Sequence, residues 1–449
     1  MGVVEIDFVN HSRNLLNVEE RPKNNKLKRK KTFAINMKAI NYIDLFAGAG
    51  GLSEGFKRQG FHAVAHVEMN KNACDTLTTR VAYHYLKEIG NEKIYHQYLQ
   101  GEITRDELLS HVPKSLSNSV IHSEISDKSI NGIFLKINEQ LKNKKVDLIV
   151  GGPPCQAYSI IGRARDPQNM ADDPRNHLYK HYVRFLTKYK PKMFVFENVP
   201  GILSAKNGEY FEKIKLAIKR AGYNFDFKVL NARDFNVLQD RKRVILIGWR
   251  VELDFEYPEF QMKEPQYKIL KDLFSDLPAL QNGSGSMGMV NYYAGTNKYL
   301  ESNNIRNGID FTTQHISRPN NENDLEIYRI AVNEWGKGKR LNYATLPTRL
   351  INHKNTTSFT NRFQVVNGSG LSHTVVAHIA MDGHYYIHPD LKQNRSITVR
   401  EAARIQSFPD DFYFEGGRTA AYKQIGNAVP PLMAEEIAKK VKDMINKYY

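Results

Sequence analysis

Cysteine is scarce in this chain: Cys74 and Cys155 are the only two in 449 residues. That excludes a disulfide framework or a cysteine-built zinc site, and leaves at most one thiol with a chemical task; no metal is expected. Long apolar runs are missing as well. No stretch approaches the roughly 18 consecutive apolar residues that a membrane span needs, and acids interrupt every apolar run near the start, unlike a signal peptide. The expectation is a soluble, cytoplasmic protein with no membrane partner. Acidic residues number 48 against 64 basic ones, a net charge of +16. That balance favours a polyanionic partner, nucleic acid before anionic lipid. Seven of the basic residues and no acid lie between Arg21 and Lys31, so residues 1–38 read as a basic, disordered arm; about +9 remains without it. Internal repeats are also lacking.

What is present is a pattern of strands alternating with helices. Ala39 to Asp44 reads as a strand, Phe46 to Gly51 as a glycine-rich turn and Leu52 to Gln59 as a helix, the order of a nucleotide site. A second strand, Ala63 to Val67, ends at Glu68, which lies 20 residues beyond Gly48, a spacing that lets a carboxylate reach ribose hydroxyls. Further apolar runs at Val146 to Val150, Lys192 to Phe196 and Val244 to Trp249 are separated by helical stretches at Leu178 to Lys188 and Phe211 to Arg220. This predicts an α/β fold with a doubly wound, mostly parallel sheet over residues 39–251. From 252 to 393 prolines, a Gly-Ser run and Asn- and Arg-rich segments predict a smaller, loop-rich domain. Residues 394–449 are expected to return to the first domain and close with an amphipathic helix, Leu432 to Lys447.

A glycine turn alone is a weak signal, shared by nicotinamide, flavin and adenosylmethionine folds. It gains weight from three segments further along the chain. Gly151-Gly152-Pro153-Pro154-Cys155-Gln156 comes directly after a buried strand, which presents Cys155 at the carboxyl edge of the sheet, where open α/β folds bind ligands. Cys74 falls in a helix and reads as core. Glu197 and Asn198 end another apolar strand, on the same edge as Cys155. Before the next strand, alternation places Gln239, Arg241 and Arg243 on one face as convergent donors.

In order, these blocks resemble the cytosine-5 DNA methyltransferases, mostly bacterial modification enzymes. The resemblance rests on Asp44-Leu45-Phe46-Ala47-Gly48-Ala49-Gly50-Gly51, the Gly-Pro-Pro-Cys155-Gln segment, Glu197-Asn198-Val199 and the Gln-x-Arg-x-Arg set. It continues through Arg400 to Pro409 and Gln424 to Pro430. It implies S-adenosylmethionine as cofactor, bound by Asp44, Phe46, Gly48, Gly50, Gly51, Glu68, Glu124 and Asn427. It also implies a catalytic set of Cys155, Glu197, Asn198, Arg241 and Arg243, which adds the thiolate to C6 of a cytosine flipped out of duplex DNA before C5 is methylated. Met69 and Glu124 depart from the family pattern, which often has an aromatic residue and an aspartate there, and the stretch from Lys71 to Ser123 is longer than in compact members.

The resemblance further implies action as a monomer on double-stranded DNA, association with the nucleoid and pairing with a restriction endonuclease of the same specificity. Arg163 and Arg165, in the polar run after Cys155, are candidate DNA contacts. For base reading, Gln314, Arg318, Asn320, Arg349, Asn355 and Arg362 are of the types that make bidentate contacts, with Arg349 and Arg362 preferred. The nearest rival is a tRNA cytosine-5 methyltransferase, whose branch carries an additional cysteine motif. A nicotinamide oxidoreductase would leave Cys155, Glu197 and the arginines without roles.

Overall fold

The computed structural model describes residues 39–154, 177–352 and 355–448. Seven strands make the central sheet: β1 (Asn41–Leu45), β2 (His62–Glu68), β3 (Val120–His122), β4 (Leu148–Gly151), β5 (Met193–Asn198), β6 (Tyr223–Asn231) and, after the two-residue β7 (Gln239–Asp240), β8 (Lys242–Arg250). Their order is β3-β2-β1-β4-β5-β8-β6. Pairing is parallel from β3 to β5, and β8 runs antiparallel to both β5 and β6. The five apolar runs expected as strands are all present, with ends shifted by up to two residues. The short β3 and the half-exposed β6, whose Asn, Asp and Lys residues dilute its alternation, carried no such signal.

Every residue of β1 and of β4 is buried, because helices cover both faces of the sheet. On one face lie α1 (Gly51–Arg58), through Leu52 and Phe56, and the last helix, Pro431–Asn446, through Leu432, Ile437, Val441 and Ile445. The other face is covered by Ile130–Leu141, Leu178–Tyr189 and Glu209–Arg220, through Ile133, Ile137, Phe185, Ile214 and Ile218. The chain thus leaves β1 toward β2 on one side and reaches β4 on the other. The crevice beyond the carboxyl ends of β1 and β4 is the switch point at which such sheets bind ligands.

The long stretch after β2 is a helical insertion. Its first helix, α2 (Lys71–Glu88), and the next two bury Tyr83, Leu86, Tyr95, Leu99 and Leu108 against Phe311. Cys74 is buried in α2; its thiol donates to the Glu68 carbonyl (3.3 Å), and burial, then the Glu68 charge, push it up to about 12. Residues 252–393 are mostly irregular, yet they contain the 15-residue helix Glu322–Gly336, capped by Asn321, which accepts from the Asp324 amide. Residues 395–428 share one core with 269–305 and 366–386, through Leu273, Tyr299, Ile305, Val366, Tyr386, Ala402 and Phe408. The last helix, with Val429 just before it, packs on α1 and the sheet. No helix among the described residues is long and apolar enough to cross a membrane.

Candidate active site

The turn after β1 at the switch point carries the predicted Phe46, Gly48, Gly50 and Gly51. After β1, Phe46 and Gly48 both take positive φ, 56° and 55°, and Gly50 begins α1 at φ 85°. The space where a Cβ on Gly48 would lie is open, whereas a Cβ on Gly51 would strike the Val429 carbonyl. The turn is therefore pressed from behind by the Ala428–Val429 segment and clear in front. Glu68 ends β2 beside it. Its carboxylate accepts from the Gly48 amide (2.9 Å) and the Asn70 amide (2.8 Å), so the acid and the glycine turn form one unit. Glu124 is exposed just past β3, whose register pairs His122 with Glu68. Asn427 is exposed at the end of the helix Arg418–Asn427, one residue before the contact with Gly51.

Asp44 lies deeper than the other cofactor candidates. It is 1% exposed, and its carboxylate is 3.5 Å from His66 Nδ1, itself 3.4 Å from the Ser53 hydroxyl, which bonds Tyr42. Burial raises the Asp44 pKa and outweighs the opposing His66 contacts. This buried chain ties β1, β2 and α1 together beneath the turn.

At the end of β4 the described chain reaches Pro154; Cys155, Arg163 and Arg165 lie outside the described residues. Glu197 stands next to this edge on β5. A Cβ on Gly152 would collide with the Glu197 carboxylate, so the glycine before the two prolines lets that side chain lie against the loop. The Glu197 carboxylate pairs with Arg243 Nε at 2.7 Å, across the antiparallel β5–β8 pairing. Asn198 is buried; its amide donates to the Pro153 carbonyl (3.4 Å), and its oxygen accepts from the Val199 amide (2.8 Å), linking the two strand ends.

Burial does alternate from Gln239 to Arg243, but the three inward side chains have different surroundings. Gln239 donates to Gln406 (2.8 Å) and accepts from the Val375 amide (2.7 Å). Arg241 is fully buried and donates to the carbonyls of Val375 (2.6 Å), Gly426 (3.2 Å) and Ala428 (2.8 Å). Burial, then the neighbouring Arg243 charge, work against its cation, and the carbonyl dipoles stabilise it. Its Nε has no partner. Arg241 thus clamps the Asn427 turn and the segment after Thr374 to the sheet edge, and Arg243 alone of the three meets the Glu197 carboxylate.

The residues nominated as base readers divide in the same way. Gln314 is buried and pairs both ways with the Phe414 backbone, at 2.8 and 3.0 Å. Arg318 donates to the carbonyls of Ile379, Ala380 and Met381. Asn320 is bonded to Asn282 through its backbone. Arg349 is exposed and paired through both nitrogens with Glu326. Asn355 and Arg362 organise one turn. Composition did not reveal the contacts that bring residues 372–386 to the sheet edge: Ser372–His373 pairs with β7, and the Thr374 hydroxyl donates to the Asp240 carbonyl (2.6 Å).

Comparison with known proteins identifies the family. The C-5 cytosine-specific DNA methylase family matches residues 40–110 and 114–443. A type II methyltransferase of Bacillus paralicheniformis is 42% identical over 443 residues, covering 91% of this chain and 99% of the relative. Another, from Haemophilus parahaemolyticus, is 32% identical over 418 residues, covering 92% and 89%. Among solved structures, a prophage-encoded DNA modification methyltransferase from E. coli shares the fold, with a TM-score of 0.59 at 24% identity over 91% of this chain and all of that one. The chain belongs to the C-5 cytosine-specific DNA methylase family and is a DNA cytosine-5 methyltransferase.

Proposed function

We propose that this enzyme methylates C5 of a cytosine flipped out of a specific short duplex sequence, through a covalent bond from Cys155 to C6, and protects DNA from a restriction endonuclease of the same specificity. The observation that carries this reading is the Glu197–Arg243 pair on the sheet edge, packed on the glycine that precedes Pro153, Pro154 and Cys155.

The cofactor would be S-adenosylmethionine, and the residues present fit it. The open face over Gly48, the Glu68 carboxylate at the end of β2 and the partly exposed Phe46 offer room, hydroxyl acceptors and an aromatic surface. When bound it supplies an electrophilic methyl group. Glu68 would accept from the ribose hydroxyls, Phe46 would lie against adenine, and Asn427 would close the site from the C-terminal side.

C5 of cytosine is a weak nucleophile, and addition at C6 activates it. The Cys155 thiolate forms the C6–S bond, the displaced electron pair moves toward N3, and the Glu197 carboxyl delivers a proton there. Arg243 fixes that carboxyl and would reach O2, whereas Arg241, engaged by the carbonyls of Val375, Gly426 and Ala428, holds the sheet edge together instead of activating the thiolate directly. C5 would then take the methyl group as its bond to the sulfonium sulfur breaks and a neutral thioether leaves. Loss of the C5 proton to a base, release of the Cys155 thiolate from C6 and return of the N3 proton to Glu197 would restore the ring. Stacked neighbours shield C6 in a duplex, so the base must leave the helix, at a few kcal/mol. Arg163 and Arg165 would contact the DNA around it, and residues 252–393 would choose the sequence.

Cys155→Ser is expected to abolish methyl transfer while retaining DNA binding, with Cys74→Ser fully active. DNA carrying 5-fluorocytosine at the target should trap the wild-type enzyme covalently, because the C5 substituent cannot leave as a proton. A wild type that methylates efficiently yet never traps would overturn the covalent route.

A further inference from the structure

Phe359 is an aromatic residue that nothing in the catalytic reading uses. It is 63% exposed and sits at φ 56°, so it carries both apolar area in water and a backbone conformation that side chains disfavour. The surrounding turn is built to keep it there. Asn355 Oδ1 accepts from the amides of Thr357 (3.1 Å) and Ser358 (2.9 Å). Arg362 donates from Nε to the Phe359 carbonyl (3.2 Å), and from Nη2 to the carbonyls of Asn355 (2.8 Å) and Ser358 (3.3 Å). The same guanidinium lies 4.2 Å from the centroid of the buried Tyr343 ring, which also stacks on Phe363. On either side of the tip, the Thr360 carbonyl accepts from the Tyr343 amide (2.7 Å) and the Asn361 amide group donates to the Tyr385 hydroxyl (2.6 Å).

The turn is also joined to the catalytic edge. The Tyr385 carbonyl accepts from His373 Nε2 (2.6 Å), and His373 pairs with Asp240, the residue before Arg241. Between residues 355 and 362 there is no acid, and apart from Phe359 the side chains are Asn, Thr, Ser and Arg, suited to a polar and anionic partner. The enzyme acts on DNA, and a base that loses its stacked neighbour when the target cytosine leaves the helix presents an apolar face that an aromatic ring can cover without reading its edge.

We propose that Phe359 is a DNA-contacting residue whose ring lies against a base face of the substrate, and that Arg362 is a positioning residue that holds the turn instead of reading a base edge. This rests on the reading that residues 252–393 meet DNA. Phe359→Ala should raise KM for duplex substrate by roughly 5- to 150-fold, the range of one lost aromatic–base contact. KM for adenosylmethionine and the urea midpoint should stay unchanged, because the ring is exposed. Phe359→Trp should restore most of the loss. A 2-aminopurine in the recognition site should change its fluorescence on binding wild type and much less with Phe359→Ala. Arg362→Lys should raise KM for DNA and leave both the sequence choice and the slope of log affinity against log salt unaltered.

Unchanged KM for DNA in Phe359→Ala would overturn the proposal, as would a variant that altered only self-association in sedimentation, since the ring would then face a second copy. Relaxed choice at one base in Arg362→Lys would make that residue a reader and reject its positioning role. Transplanting residues 252–393 into a related methyltransferase separates the two levels. If the target sequence moves with the segment while Phe359→Ala is silent, the region reads DNA and the assignment to Phe359 fails. If the host's specificity persists, the regional reading fails as well.

Discussion

Arginines in two regions of the molecule have opposite surroundings. From 395 to 404 they are sealed. Arg395 donates to both oxygens of Glu401 at 2.7 Å, and Arg404 binds Asp276 and Asp410 through four contacts of 2.5–3.1 Å. Arg400 ends on the carbonyls of Thr313, Pro409 and Phe412. From 349 to 362 they lie at the surface: Arg349 is exposed and meets a single surface acid, and Arg362 is half-buried on the carbonyls of Asn355, Ser358 and Phe359. The difference teaches where family blocks do chemistry and where they act as cement. Arg400 to Pro409 is as recognisable in sequence as the Cys155 segment, yet its charged groups are engaged inside the protein, tying the C-terminal block to residues 273–313. An exposed arginine can exchange its partner for DNA; a sealed one cannot, and losing its partner leaves a charge stranded in low dielectric.

The largest effect expected from that contrast is in Arg404→Met. It removes the cation that Asp276 and Asp410, both fully buried, share, and leaves them only the more distant Arg306 (3.3 Å) and Arg400 (4.0 Å). Urea unfolding should show a loss of about 3–5 kcal/mol, the usual result of breaking a buried pair from one side. A loss below about 1 kcal/mol, the range of exposed pairs, would erase the distinction between the two regions.

A smaller effect comes from His388, in the sealed region. Its Nδ1 accepts from the Asp390 amide (3.1 Å), which leaves the proton on Nε2, 3.7 Å from Glu401. Burial nevertheless outweighs that carboxylate and lowers the histidine to about 4. The unfolded chain takes up the proton near pH 6.5 and the folded chain does not, so the stability contributed is complete above pH 6.5 and is lost as pH falls toward about 4. At pH 5 the loss from this group is about 2 kcal/mol relative to pH 7.5. His388→Asn should flatten the measured difference by that amount. An unaltered pH dependence would mean that Glu401 keeps the ring charged in the folded state. Carboxylates whose pKa is depressed, such as Glu401 and Asp410, act in the opposite part of the range, below pH 4.

Much of this fold was readable because buried parallel strands are short apolar runs ended by glycine or a polar residue, as at Glu68, Gly151 and Asn198. Each such ending also marks the ligand edge. The turn at Phe46–Gly51, Glu68 and Glu197 were therefore placed by local pattern. Partners chosen across hundreds of residues were not readable. Arg80 joins Glu54 on α1 to Asp411, 331 positions away, and nothing near Arg80 in sequence names either acid. Donor type was equally silent about the acceptor. Gln314, Arg318 and Arg241 have the chemistry of base or substrate readers, and their acceptors here are carbonyls of their own chain. The helix Glu322–Gly336 does carry a helical pattern, an Asn321 cap with buried Leu325, Ile327, Tyr328 and Ala331, but it is set in a region whose prolines, glycines and asparagines read as loop.

The smallest effect belongs to Arg349. Its pairing with Glu326 is bidentate but open to water, with the arginine side chain 62% exposed, so solvent and salt screen the attraction and hydrate either partner left alone. Arg349→Ala should therefore unfold at the wild-type urea midpoint. Its consequence should appear only with DNA, as weaker binding by a side chain free to exchange Glu326 for a base edge or a phosphate. Relaxation of methylation at one base position would mark a base contact, and uniform weakening with a shallower salt slope would mark a phosphate. A midpoint that fell as far as that of Arg404→Met would show that exposure does not separate the two regions, because the surface pair would then be holding the fold as firmly as the sealed one.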